Sequence, residues 1–283
     1  MDTSDPGAIS ARFRELIDGP DDRIDLAEAA LLIAKNSNHG LEVSRYLARI
    51  DQLAADLSAR LTTSSSDSER IIALNRFLFE EQGFGPNVDD YYDLRNSFLN
   101  EVLERKVGIP ISLSIVYMEV GRRIGLELHG VSFPGHFLVK CKLNEGTVVL
   151  DPFAGGISLS LHDLQQRLRE ARGGEVSRAI VASMLVSANK KEILARMLRN
   201  LKAIYLQKRD QHHALSLMDW IVALNPKDAS QVRDRGLIYL ELECFRAALE
   251  DLQRYLTLVP DADDAAEIHR RVIELSQAAA RLN

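Results

Sequence analysis

His136 and Asp151 are the residues best placed in this sequence to do chemistry together. His136 heads an apolar, β-rich run over 137–143, and Asp151 closes the next run, 147–150. An imidazole hydrogen-bonded to a carboxylate is the base and orienter of nucleophilic catalysis. The same pair also serves as a structural brace between two neighbouring strands. Upstream, Gly108-Ile109-Pro110 opens an apolar helix. No cofactor or metal is expected. The seven histidines are scattered, and His212-His213 is adjacent rather than spaced i, i+4. No phosphate-binding glycine loop occurs, and Gly155-Gly156, after Asp151-Pro152-Phe153, reads as a turn.

The elements that must carry these residues change character along the chain. Up to about Phe84 the pattern is helical, with apolar positions at 3.6-residue spacing over 25–35 and 41–61. Ser66-x-x-Glu69 is a capping box that predicts a helix ending before Gly83. Residues 85–93 read as loop, and a short helix follows from Leu94 or Ser97 to Arg105. Pro110 is suited to a first helical position. The helix it opens, to Ile124, has a wide apolar face of Ile111, Leu113, Ile115, Val116, Met118 and Val120, so it is expected to be central and buried. Three strands are predicted at 127–133, 137–143 and 147–150, the last two forming a hairpin through Asn144-Glu145-Gly146. Helices first and antiparallel strands second make an α+β domain. Gly173-Gly174 marks a junction, beyond which the chain reads as all helix.

That last third repeats itself. Tyr205, Ala214 and Pro226 recur as Tyr239, Ala248 and Pro260, each 34 residues on. This is the tetratricopeptide period. Leu201, Leu224, Leu242 and Leu258 suit a seam between helices. The opening Trp of the motif is replaced by Leu198 and Val232, and the usual Gly is Lys202 in the first repeat but Gly236 in the second. The expected organisation is a domain over 1–180 (helical 1–105, core 106–172), then repeats at 195–228 and 229–262 and a capping helix at 263–283. Two repeats are few to bury their own faces, so they are expected to lean on the first domain.

The order of helix start, His and Asp resembles the transglutaminase-like superfamily, whose fold is papain-like. Segments 25–34, Asp89-Asp90-Tyr91-Tyr92, Asn96 to Leu103, Gly108 to Ser114 and Phe133-Pro134-Gly135-His136-Phe137-Leu138 resemble its SirB-type bacterial members, which couple such a domain to tetratricopeptide repeats. In the superfamily's enzymes a Cys begins the central helix, where the positive dipole end favours the thiolate. Gly-x-Cys is often followed there by Arg-x-x-Gly. Laying Gly108-Ile109-Pro110 and Arg122-Arg123-Ile124-Gly125 on that pattern puts Pro110 at the nucleophile position. Neither Cys141 nor Cys244 falls in register. Ser112 is rotated about 200° from that position, and Ser114 lies on the same face about 6 Å deeper. The resemblance therefore implies a non-catalytic scaffold, or pseudoenzyme, that binds a protein or peptide. The alternative is a Ser-His-Asp peptidase, amidase or acyltransferase using Ser112 or Ser114 with His136 and Asp151. Asn96, Tyr91 and Tyr92 are expected to line the same cleft.

Composition sets the surroundings. Apolar residues make up 46% of the 283 and charged residues 27%, enough for a globular core. The net charge of −6 argues against nucleic-acid or anionic-membrane partners, which need clustered Lys and Arg. Arg122-Arg123 and Lys190-Lys191 read as solvated helix faces. The first twenty residues contain no apolar stretch of signal-peptide length, and apolar runs such as 29–34 are too short to span a bilayer. Two cysteines make no disulfide framework, and both are expected to be buried thiols. A reducing cytoplasm is the expected location. Composition leaves the oligomeric state open.

Overall fold

Asp5, Asp25 and Ser66 each start a helix by accepting a backbone N–H three residues on, at 3.2, 2.9 and 3.3 Å. They open α1 (Pro6–Asp18), α2 (Leu26–Ser37) and, after α3 (Val43–Ser58), α4 (Asp67–Asn75). The computed structural model describes residues 5–281. The helix predicted to end at Glu81 changes winding at Arg76, and Arg76–Glu81 form a π-helical stretch. β1 (Gly85–Pro86) pairs in parallel with β2 (Val107–Gly108). Between them lie a 3₁₀ turn, Leu94–Asn96, and α5 (Leu99–Arg105). α6 is Pro110–Arg123.

The sheet is antiparallel, in the order β3 (Leu128–Val131), β4 (Leu138–Leu143), β5 (Gly146–Asp151), β6 (Ile157–Ser158). The hairpin closes with Leu143 paired to Gly146. β3 is shorter than predicted because the chain turns at once, Phe133 N donating to Val131 O at 2.9 Å. Two-residue β6 has too short a pattern to be read from sequence. α7 (Leu161–Arg172), α8 (Arg178–Ser183) and α9 (Lys190–Gln207) follow. The chain divides into two units within α9, one ending at Met197 and the other starting at Leu198.

In the first unit α6 is the axis. Every residue from Pro110 to Gly121 is buried, including Glu119, whose carboxylate is held by Arg123 at 2.6 Å and Arg122 at 3.0 Å. Arg123 also reaches Asp51, so it is not part of a solvated face as the sequence suggested. Lys190 likewise donates to the carbonyls of Asp22 and Ile24. Gly121 lets α6 and β3 pack closely, because a Cβ there would fall 2.3 Å from a Leu128 methyl and push that side chain aside. A second cluster, Val131, Phe133, Leu138, Val149, Leu164, Leu168 and Val181, seals α7 and α8 to the sheet.

The second unit continues with α10 (Gln211–Leu224), α11 (Ala229–Glu241), α12 (Phe245–Leu258) and α13 (Ala265–Arg281). Both repeat alanines, Ala214 and Ala248, are fully buried, as are Leu198 and Val232 in place of the motif's Trp. Gly236 lets α11 approach α12, since its Cβ would lie 3.0 Å from Leu252. Lys202, at the equivalent position, is buried and donates to Gln231 at 2.7 Å. Cys141 is buried, but Cys244 is exposed: it sits at the N-cap position of α12, in the turn that joins α11 to α12 within the second repeat.

Candidate functional site

The N-terminus of α6 is closed by its own chain. Ser112 is fully buried. Its hydroxyl donates to the carbonyl of Asn96 at 2.6 Å, with the carbonyl of Ile109 at 3.1 Å, and accepts the N–H of Ile109 at 3.1 Å. Gly108 makes room for this arrangement, since a Cβ there would lie 2.7 Å from Ser112 Oγ. Pro110 is the first helical residue and is buried. Ser114 is fully buried, and its hydroxyl has no hydrogen-bond partner.

His136 is delivered by a turn. Phe133-Pro134-Gly135-His136 closes with His136 N donating to Phe133 O at 3.0 Å, and Gly135 adopts φ +70°. Proline second and a left-handed glycine third suit such a turn. Arg196 of α9 clamps it, donating to the carbonyls of His136 at 2.8 Å and Phe133 at 3.3 Å, with its guanidinium over the Phe137 ring. The imidazole Nε2 meets Asp151 Oδ1 at 2.9 Å. No serine hydroxyl among the described residues bonds Nδ1.

Asp151, at the end of β5, is almost completely buried. Oδ1 also accepts the N–H of Phe153 at 3.1 Å, and Oδ2 accepts from Arg167 of α7 at 2.6 Å. Burial pushes this carboxyl up, but hydrogen bonds and charge from His136 and Arg167 outweigh it and hold the carboxyl below its ordinary value. Asp151 is thus the centre of a His–Asp–Arg network.

Tyr91 and Tyr92 are exposed. Phe153 connects Tyr91 to the dyad, 6.4 Å from Tyr91 and 5.7 Å from the His136 ring. Asn96 lies inside rather than on a wall: it is fully buried, donates to the carbonyls of Asp90 and Tyr91, and accepts from Asn87. It ties the 87–91 loop to α6 through Ser112. Five surface clefts, each about 360 to 510 Å³, lie on the described residues, and His136 and Asp151 line none of these five. No group of three His, Cys, Asp or Glu side chains able to hold a metal occurs among the described residues.

Sequence reasoning missed Arg167 and Arg196. Both sit on helices far along the chain from the residues they hold, and no local spacing signals either contact. The exposed glycine turn before His136 was the signal available for that residue.

The model of the transglutaminase-like superfamily matches residues 44–199, and a tetratricopeptide-repeat model matches 201–272. A UPF0162 protein of Xylella fastidiosa is 40% identical, over 90% of this chain and 92% of its own length. A UPF0162 protein of Pseudomonas aeruginosa is 33% identical, over 90% and 93%. Protein SirB1 of Salmonella typhimurium is 29% identical, over 80% and 82%.

Proposed function

We propose a function from one premise: the chain belongs to the transglutaminase-like superfamily, in the group of the UPF0162 and SirB1 proteins. It acts as a non-catalytic, cytoplasmic scaffold that holds a protein or peptide partner. The observation that carries this reading is the start of α6. Pro110 has no nucleophilic atom, and the Ser112 hydroxyl is buried in three contacts to backbone groups. An activated serine needs its hydroxyl on the base, and here the hydroxyl serves the helix cap. His136 and Asp151 then brace the turn before β4 against the end of β5.

The tetratricopeptide unit supplies the binding side of the proposal, because stacked repeats of this kind present extended surfaces. Affinity capture from bacterial extract tests it in three arms. Wild type and His136→Ala recover the same protein, and Gly236→Leu, which forces α11 from α12, loses it. Recovery of no reproducible protein, or loss of the partner in His136→Ala alone, contradicts the proposal.

The second reading is a Ser-His-Asp hydrolase or acyltransferase. It is favoured by one observation, the 2.9 Å bond that orients His136. It requires Ser112 or Ser114 to leave its present position and reach Nδ1.

A further inference from the structure

Away from the dyad, one groove of the first unit carries uncompensated positive charge. It lies between α3 and the end of α5, encloses about 470 Å³, and is lined by Arg45, Tyr46, Arg49, Glu104 and Lys106 among others. Arg45 and Arg49 are one turn apart on α3 and so share a face. Lys106 comes from the other wall, at the residue that ends α5 with φ 60°.

The charges do not balance. Glu104 is the one carboxylate lining the groove, and it already accepts from Arg45 at 3.3 Å and from the Tyr46 hydroxyl at 3.0 Å. Lys106 donates to a neutral group, the Gln82 side-chain carbonyl at 3.0 Å. No carboxylate among the described residues pairs with Arg49. Burial, and then the charge of Arg49, make Lys106 a weaker holder of its proton than an ordinary lysine. The two cations repel, in a protein whose net charge is −6.

We propose that this groove binds a small phosphorylated organic anion, with Arg49 and Lys106 taking the phosphate oxygens. Its volume is that of a small-molecule site. A phosphate dianion matches the excess of two positive charges, and a guanidinium beside an ammonium suits its oxygens. The site is independent of the scaffold reading and of the dyad.

The test is titration of the full chain with inorganic phosphate and with glycerol 3-phosphate. Ionic strength is held constant with sodium chloride, and the amide NMR signals of Arg49 and Lys106 are followed. Saturable shifts with both probes are expected. Arg49→Gln and Lys106→Asn should each weaken binding about tenfold, the loss of one charge-assisted contact. Asn tolerates the left-handed backbone at 106, so that variant keeps its fold. Arg76→Gln, an exposed cation elsewhere, should bind as wild type does. Absence of saturable shifts in wild type, or unchanged affinity in both groove variants, overturns the proposal. Binding to phosphatidylserine vesicles with none to the free phosphates also overturns it.

Discussion

At the scale of single residues, one carboxylate and one hydroxyl carry the account. The folded environment holds the Asp151 carboxyl below its ordinary value, so folding favours its ionised form. The stabilisation is complete above the ordinary carboxylate value, about 3.9. It is lost as pH falls from there through the lower folded value. In thermal unfolding, wild type should therefore lose stability more steeply than Asp151→Asn on acidification below about pH 4, and parallel curves would contradict the network. Ser112→Ala should cost about 1–3 kcal/mol in urea unfolding, because it strips a buried carbonyl and a buried N–H of their partner. A cost near zero would mean that the cap is not the hydroxyl's task. The sequence made His136 and Asp151 legible because a pair of strand ends concentrates polar groups in an otherwise apolar pattern. It left Arg167 and Arg196 illegible, since each reaches its partner across tertiary space from an ordinary helix surface. Asn96 was misplaced for a related reason: its residue type suits a cleft wall, but its amide answers backbone groups of its own loop.

At the scale of elements, the loop after β5 is pinned to the helices by one side chain. Asn75 donates to the carbonyl of Gly156 at 2.8 Å and accepts from the Tyr117 hydroxyl of α6 at 2.8 Å. A Cβ on Gly156 would fall 2.2 Å from Asn75 Oδ1, at φ +76°. Gly156→Ala should therefore destabilise the chain by about 1–3 kcal/mol, from overpacking and a strained backbone together. Chemical denaturation measures this, and a neutral result would show that the loop can move away freely. Helix starts were readable from Ser66 and Pro110 because these signals are local chemistry, whereas the cap by Asp25 was found only in the structure. The change of winding at Arg76 and the short β6 were not readable, since both are set by what the segment packs on. Cys244 shows the same limit from the other side. Its helical neighbourhood was correctly seen, but its place in the turn before α12 exposes it.

At the scale of the whole molecule, the repeat sequence is recognisable because it keeps small residues that close approach demands, and the transglutaminase-like sequence by its segments around Pro110 and His136 and the order that ends at Asp151. Gly121, Gly236, Ala214 and Ala248 mark where helix meets helix or strand. Among the described residues no helix is long and apolar enough to cross a membrane. The central claim is that this fold keeps the base and its orienter but presents them with no nucleophile. Intact-mass analysis after incubation with a fluorophosphonate probe tests it most directly. The account predicts no adduct on wild type, and the same for the Ser112→Ala, Ser114→Ala double variant. A stoichiometric adduct on wild type that disappears in the double variant and in His136→Ala would contradict it.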